Sequence, residues 1–441
     1  FIRVRTDPFA VRVFNPDPDT DGYGSSGTVV EINIDDGPFL LDSLTNEIQA
    51  HGLEVARISH PVIGADRDSA GRLTSIGHAR HARNKESVEH YELDRRLFAA
   101  DLPGLERALR AVLSDIRAAV RDFHPMMDRI KRMVEIVRRA TGFYPEADLG
   151  EAIAFLQWLR DENFVFLGFR EYTVVEDGGQ ACVRAEPGTG LGILADETRS
   201  AMSDSVPLAS MRPEIAARYK EGDLLIITKT NRLSTVHRRV RLDYIGVRVI
   251  GPSGGTLGEV RLVGLFTSKA FMEPASHVPI LRRKLADIVA NEDLIEGSHD
   301  HKAVIQIFEG YSKHDLFTAP TNSLQREIMG LLALQETHQV RLFLRRDIME
   351  RSVSILVALP RDRFNADLRK SLQDLFMSRF NGTAVDYHLE LGEADPARIH
   401  FTVWVDGQIP EVGYDLLESE VLSVTRSWSD RVTEELTARV G

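Results

Sequence analysis

The chain has 441 residues, of which 43% are hydrophobic and 27% charged, and its formal net charge is −12. The length suits roughly two to four domains, and the composition is that of an ordinary globular protein. The negative charge makes nucleic acid an unfavourable partner. A single cysteine, Cys182, excludes an internal disulfide framework and suits a reducing compartment. No apolar run approaches the roughly 20 residues of a membrane helix, so we expect a cytoplasmic protein without a membrane partner.

Both ends of the chain have the character of a piece of a longer polypeptide. The first residue is Phe1 rather than methionine, and no signal-peptide pattern follows it. About the last 30 residues predict an amphipathic helix, with Leu416, Leu417, Val421 and Val424 on one side. We therefore expect the chain to be a fragment of a larger protein.

The first predicted domain, residues 28–124, follows an extension, residues 1–27, that is mostly loop with a possible strand over residues 10–14. A helix is predicted to begin with Pro38 in its first position, capped by a carboxylate or glycine of residues 35–37, and to end at Gly52. Hydrophobic periodicity adds strands over residues 30–34, 53–63 and 86–93 and a long helix over residues 105–120. This order, β-α-β-β-α, is most of a ferredoxin-like unit, and helix rather than the usual fourth strand follows it.

The later units are a helical linker, a mainly antiparallel domain, a helical segment and a second ferredoxin-like domain, over residues 125–147, 148–272, 273–337 and 338–441. The helical segment is broken at Gly297 and near Pro320. In the last domain, a strand starting at Val340 precedes the β-α-β-β-α unit and could supply the fourth strand of its sheet, as in a circularly permuted ferredoxin-like fold. Strands are predicted over residues 164–175, 223–229, 238–250, 259–271, 340–345, 352–359, 383–391 and 399–405. The predicted fold class is α+β and multidomain, with two ferredoxin-like units flanking an antiparallel domain and helical linkers between them.

Two glycine-rich stretches match the letters of phosphate-binding loops without the required context. Residues 22–27 read G-x-G-x-x-G, but such a loop must follow a strand and open a helix, whereas here a strand follows. Residues 188–192 are not followed by a basic residue or a long helix that could complete a phosphate-binding loop. We expect structural connectors at both places and no cofactor in this chain.

Metal and catalytic sites are not predicted either. Four histidines and one glutamate could suggest a metal cluster: His277, His299, His301, His314 and Glu309. They lack the i, i+4 spacing of a zinc-binding helix and no cysteine supports them, so helix capping by Ser298 and ordinary polar contacts explain them better. No G-x-S-x-G elbow supports a hydrolase. We expect no metal and no catalytic residue in this chain.

The strongest candidate for a binding site is the segment between the first strand and the first helix of the first domain, which we call the 35–40 loop: Asp35, Asp36, Gly37, Pro38, Phe39 and Leu40. A strand end, a tight loop and a helix N-terminus leave unpaired amides that attract a carboxylate, for instance that of a free amino acid. In the alternative interpretation, the loop merely caps its own helix. The functional interpretation is a small-ligand site shared across a pair of such domains.

A ligand pocket inside the central domain is the weaker of two hypotheses. Its aromatic side chains, Phe164, Phe166, Phe169 and Phe266, could line a cavity. Large aromatic residues more often fill a core, and we expect that role for them here.

Several short segments, in this order, resemble the N-terminal regulatory part of the large bacterial NAD-specific glutamate dehydrogenases. The resemblance rests on residues 29–43 (VVEINIDDGPFLLDS), 60–61 (HP), 166–172 (FLGFREY), 266–268 (FTS), 273–285 (EPASHVPILRRKL), 297–303 (GSHDHKA) and 315–317 (DLF). Together they cover nearly the whole chain and are specific, whereas any one alone would be weak.

The resemblance implies an ACT-like domain, a PAS-like domain and a second ACT-like domain, joined by helices. It implies a parent enzyme that oxidises L-glutamate to 2-oxoglutarate and ammonia with NAD, with the cofactor and the catalytic site outside this fragment. It also implies a homo-oligomer, expected to be a tetramer, and an amino acid or related metabolite as effector. The alternative is a purely structural assembly arm with degenerate sensor domains.

Overall fold

The computed structural model describes residues 1–199, 204–334, 339–347, 349–391 and 396–426. Over these residues, no helix combines the length and the apolar character that crossing a membrane requires. The predicted fold class is confirmed. Ferredoxin-like units lie at both ends, a central antiparallel sheet curves into a half-barrel, and helices connect them.

The first unit packs two helices against one face of a sheet. Its elements are β1 (Phe9–Phe14), α1 (Pro18–Asp21), β2 (Val29–Asp35), α2 (Leu40–Ala50), β3 (Val55–Ser59), β4 (Val62–Arg67), β5 (Leu73–His78), β6 (Lys85–Leu93) and α3 (Leu102–Arg121). Leu44 and Ile48 of α2 and Leu109 of α3 are fully buried with Ile32 of the sheet. Because burying one such side chain contributes about 1.5–3 kcal/mol, this face holds the unit together.

The missing fourth strand of the first unit comes from its N-terminal side. The sheet order is β1-β2-β6-β4-β5, with β3 also beside β6. Strand β1 runs antiparallel to β2, from Phe9 opposite Ile34 to Phe14 opposite Val29. The segment expected to be mostly loop therefore supplies the edge strand, since alternate residues Val11 and Val13 bury against the core.

The strand predicted over residues 53–63 is two strands rather than one. The strand is interrupted at His60 and Pro61, between β3 and β4, because proline has no N–H to donate to a neighbouring strand. Strand β4 continues beyond the predicted end and forms a hairpin with β5, which the sequence did not predict.

The central domain is built on one antiparallel sheet. Its strand order is β10-β8-β7-β13-β12-β11, with β9 beside β7. The elements after α3 are α4 (Phe123–Arg139), α5 (Glu146–Trp158), β7 (Phe164–Asp177), β8 (Gln180–Ala185), β9 (Leu191–Gly192), β10 (Val206–Pro207), α6 (Pro213–Lys220), β11 (Leu225–Leu233), β12 (Arg241–Ile250), β13 (Thr256–Phe266) and α7 (Ser268–Met272). The strand predicted over residues 259–271 is wrong at its end: the Thr267 side chain accepts from the Ala270 amide, which caps a helix and stops the strand at Phe266.

The four central phenylalanines are core residues, as expected. Phe164, Phe166, Phe169 and Phe266 are all at most 4% exposed. The Phe266 ring stacks on Phe317 at 5.2 Å between centroids and meets Phe164 edge-on at 5.4 Å. These contacts join the central sheet to the helices that follow it.

Two of the three glycines of residues 188–192, Gly190 and Gly192, are required by packing. Gly192 has φ +60, and a Cβ there would lie 2.1 Å from the Leu167 carbonyl oxygen. We expect Gly192→Ala to lower the free energy of unfolding by more than the roughly 1–2 kcal/mol that a left-handed conformation costs an L-residue. Gly188→Ala is the matched control, since Gly188 has φ +71 but open space around its Cβ position. Equal urea midpoints for the two variants would contradict the packing explanation.

The helical segment confirms both predicted breaks. Its helices are α8 (Leu281–Asn291), α9 (His299–Glu309), α10 (Lys313–Thr318) and α11 (Thr321–Leu332). Gly297 has φ +79 just before α9, and Pro320 precedes α11. The predicted cap is also confirmed, because the Ser298 hydroxyl accepts from the His301 amide at 3.2 Å.

The second ferredoxin-like unit has the same permuted topology as the first. Its elements are β14 (Arg341–Arg346), β15 (Ser352–Leu359), α12 (Ala366–Arg379), β16 (Gly382–Glu390), β17 (Ala397–Val405) and α13 (Tyr414–Thr425). The order β14-β15-β17-β16 confirms that the strand before the unit fills the fourth place. Of the predicted apolar face of the last helix, Leu417 and Val421 are buried and Val424 is half-buried, but Leu416 is exposed. The rest of that predicted helix, residues 427–441, lies outside the described residues.

Candidate functional site

The 35–40 loop enters its helix later than predicted. Helix α2 begins at Leu40, not at Pro38, because Phe39 has a left-handed conformation (φ 72) that cannot belong to the helix. The predicted carboxylate or glycine cap is also wrong, since Phe39 occupies the cap position without a side-chain hydrogen bond to the first turn. The Asp36 amide donates to the Lys85 carbonyl at 2.9 Å, which ties the loop to the neighbouring strand.

A cleft of about 300 Å³ lies between this loop and the C-terminal half of α3, and we call it the loop–α3 cleft. Four of the six predicted residues line it: Asp35, Asp36, Gly37 and Leu40. Of the other two, Pro38 is exposed to solvent, and Phe39 lies against His237 of the central domain, with 5.4 Å between the ring centroids. The structure thus brings most of the predicted loop to one concave surface.

The other wall of the cleft was not predicted. It consists of α3 residues, including Ser114, Arg117 and Arg121, over an apolar floor that includes Ile34, Ile116 and Val120. Ser114, Arg117 and Arg121 lie at i, i+3 and i+7 and therefore share one helix face. That spacing was the available signal, but nothing in the sequence shows which loop the face would meet.

The charged groups of the cleft differ in how far they are already paired. Asp35 accepts from Arg5 at 2.5 Å. Arg121 hydrogen-bonds Asp122, which raises the pKa of Arg121 and lowers the pKa of the Asp122 carboxyl. Within the described part of the chain, the exposed Asp36 carboxylate and Arg117 guanidinium have no ion-pair partner. The cleft therefore offers one negative and one positive group to a ligand.

Both helices that form the cleft are bound to one loop of the central domain, residues 234–239. From α2, the Ser43 hydroxyl accepts from the His237 amide at 2.8 Å, and Glu47 pairs with Arg239 at 2.6 Å. From α3, the buried Asp115 accepts from the Thr235 hydroxyl at 2.7 Å. A change in the spacing of α2 and α3 would therefore reach the central domain directly.

A buried Ser-His-Asp arrangement lies far along the chain, where α10 meets the second unit. The Ser354 hydroxyl is 2.5 Å from Nε2 of His400, and Nδ1 of His400 is 2.7 Å from Asp315. Arg345 also donates to Ser354 at 3.1 Å. The adjoining cavity of about 20 Å³ has room for a water molecule but not a substrate. These residues join α10 to β15 and β17 and do not form a hydrolase site.

The histidines considered as metal ligands do not form a metal site in the part of the chain that the structure describes, where no three His, Cys, Asp or Glu side chains converge on one point.

The fold and the cleft define the class of protein: a pair of ACT-type regulatory domains on either side of a half-barrel domain. Three family models agree. The ACT1 domain of glutamate dehydrogenase matches residues 2–109, its helical motif 1 matches residues 278–337, and its ACT2 domain matches residues 341–429.

Similar proteins agree with these models. NAD-specific glutamate dehydrogenases of Halomonas elongata, Pseudomonas aeruginosa and Mycobacterium tuberculosis are 33%, 30% and 26% identical over 96%, 100% and 96% of this chain. The chain spans 27%, 27% and 26% of their respective lengths. It belongs to the family of large NAD-specific glutamate dehydrogenases and comprises the ACT1, helical motif 1 and ACT2 domains of their regulatory N-terminal quarter.

Proposed function

We propose that this chain is the effector-binding and subunit-assembly region of an enzyme that converts L-glutamate, NAD and water to 2-oxoglutarate, ammonia and NADH. In this proposal, NAD and the catalytic residues belong to the remaining three quarters of the enzyme, which is a cytoplasmic homo-oligomer, expected to be a tetramer. The observation that carries the regulatory role is the loop–α3 cleft, with opposite charges on its two walls.

The ligand that suits this cleft is a free α-amino acid. Its ammonium group complements Asp36, and its carboxylate complements Arg117, as charge-assisted hydrogen bonds require. The apolar floor at Ile34, Leu40 and Val120 receives the side chain. A volume of about 300 Å³ is at the small end of ligand pockets, which favours a metabolite of this size over a nucleotide.

Regulation then follows from the contacts of α2 and α3 with residues 234–239. A ligand between the 35–40 loop and α3 acts on the positions of both helices, and Ser43 and Asp115 transmit that change to the central domain. An equilibrium between two arrangements responds only to a difference in ligand affinity, and a coupling of about 1–3 kcal/mol is typical of allosteric sites.

Calorimetric titration of the chain with each common L-amino acid tests the proposal. We expect saturable binding of at least one amino acid at one site per chain. Asp36→Asn and Arg117→Met should each weaken binding about 10- to 100-fold, as loss of a charge-assisted hydrogen bond does. Gly37→Val should abolish binding without unfolding, because a Cβ at Gly37 meets nothing within 4 Å and the added methyl groups occupy the cleft.

Arg107→Met is the matched control, because Arg107 is an exposed residue of the same helix that does not line the cleft. It should leave the affinity unchanged. Absence of binding by every amino acid, together with self-association of the chain in sedimentation experiments, would favour the purely structural assembly arm instead.

A further inference from the structure

A second cavity, of about 390 Å³, lies where the central sheet meets α5 and the helical segment. Its walls come from three parts of the chain: the start of β11, the N-terminal half of α5, and α8 with the α10–α11 junction. The floor is apolar and includes Leu149, Ala152, Ile227, Ile280 and Phe317. The loop–α3 cleft shares no residue with it.

One cation, Lys284, lines this cavity, but its ammonium group is already hydrogen-bonded to the protein backbone. Lys284 donates to the carbonyl oxygens of Leu316, Phe317 and Ala319 at 2.7, 3.0 and 2.7 Å. These bonds use all three N–H groups of the ammonium and stabilise the C-terminal end of α10. Burial lowers the pKa of Lys284 to about 7, with the charge of Arg345 acting in the same direction and that of Asp223 opposing it. Lys284 is therefore not available to bind an anionic ligand.

The carboxylates of the rim exceed the cations that could neutralise them. Glu151 is satisfied by Arg282 at 2.8 Å and by the Ile280 amide at 2.8 Å. Asp287 pairs with Arg283 at 3.0 Å. Two further carboxylates, of Asp148 in the first turn of α5 and Asp223 just before β11, form no salt bridge among the residues described, although the charge of Asp223 acts on Lys284 and favours its ammonium form. Both are exposed at the mouth of the cavity.

We propose that this cavity is a ligand site separate from the loop–α3 cleft, and that it takes a small organic cation of the alkylammonium or alkylguanidinium class. The apolar body of the ligand lies on the floor between Ile227 and Phe317, and its charged end lies at the mouth near Asp148 and Asp223. The combination of an apolar floor and two exposed carboxylates without a salt bridge selects this class: a metal ion would gain nothing from the apolar floor, and the carboxylates repel an anion. Because the walls belong to three parts of the chain, the bound cation stabilises their junction.

Three probes of four carbon atoms each separate charge from apolar contact: n-butylammonium, n-butanol and n-butyrate. In ligand-observed NMR titrations of the whole chain, we expect saturable binding of n-butylammonium at least tenfold tighter than that of n-butanol, and none of n-butyrate. Raising the salt concentration from 0.05 to 0.5 M should weaken the binding, because rim charges are screened. The double substitution Asp148→Asn and Asp223→Asn should weaken it about tenfold or more.

Asp374→Asn, at an exposed position of α12, is the control and should change nothing. Asp36→Asn, which removes the carboxylate proposed to bind an ammonium group in the loop–α3 cleft, should leave n-butylammonium binding intact, so failure of this site and failure of the amino-acid cleft are distinguishable. Equal binding of n-butanol and n-butylammonium would overturn the proposal. Non-saturable binding of the cation, or binding unchanged by the double substitution, would do so too.

Discussion

Replacing Asp315 by alanine is expected to lower the free energy of unfolding by about 3–5 kcal/mol, because removing one partner of a buried ion pair leaves the other uncompensated. Asp315 lies 2.7 Å from His400 and 3.9 Å from Arg345, and the three side chains are between 6% and 10% exposed. The Ser312 hydroxyl donates to the same carboxylate. Urea titration followed by tryptophan fluorescence, which includes Trp404 on the same strand as His400, measures the change.

The pH dependence of this contribution has a definite sign. Burial alone would raise the pKa of Asp315, but the charge and hydrogen bond of His400 outweigh it and hold the pKa well below its usual range. A carboxyl with a lowered pKa stabilises the fold above its unfolded pKa of about 3.9, and this stabilisation is lost as the pH falls toward the folded value. The wild type should therefore lose more stability than Asp315→Ala between about pH 4 and pH 2. Asp374→Ala is the exposed control, and an equal effect of the two substitutions at neutral pH would contradict the assignment.

Replacing Phe266 by alanine is expected to cost about 3–5 kcal/mol, the range for a large aromatic side chain removed from a core. Phe266 is 3% exposed and contacts Phe164, Phe317 and Trp158, with ring centroids 5.4, 5.2 and 6.1 Å away. Removing the Phe266 ring would leave an empty space where the central sheet meets the helical segment, so the sheet and the helices should both unfold at a lower urea concentration. Circular dichroism measures the loss of secondary structure, and tryptophan fluorescence, which includes Trp158, measures the loss of packing around the aromatic cluster.

Phe98→Ala is the matched control for this effect. Phe98 is 81% exposed, and its removal should change the free energy of unfolding by no more than about 0.5 kcal/mol. If Phe266→Ala were as harmless as the control, the aromatic cluster would have to be reinterpreted as the lining of a ligand pocket rather than as core.

The parts of the fold that the sequence predicted well are those in which one local pattern decides the structure. Helix α3 and strand β6 have clear periods of 3.6 and 2, and both lie close to their predicted bounds. Strand β1 was recognised only as possible because it is short and its place beside β2 depends on a distant pairing. The predicted start of α2 is wrong because Phe39 has a left-handed conformation, which is unusual for phenylalanine and which no local sequence pattern indicates.

In the candidate site, too, the features set by a local sequence pattern could be predicted and those set by distant contacts could not. The 35–40 loop could be selected from the sequence because a strand end followed by Pro38 marks a strand-to-helix connection. Arg117 could not be assigned to the site, because its place opposite Asp36 follows from how α3 packs on the sheet. The contacts of Ser43 and Asp115 with residues 234–239 span more than a hundred positions of sequence, and no local pattern encodes them.

The most direct test of the proposed regulatory role is a crystal structure of this chain grown with the amino acid that gives the strongest calorimetric signal. We expect density for one amino acid in the loop–α3 cleft, with its carboxylate at Arg117, its ammonium group at Asp36 and its side chain over Leu40. An amino acid that saturates the chain in solution but occupies a different place, with the cleft empty in the same crystal, would contradict it.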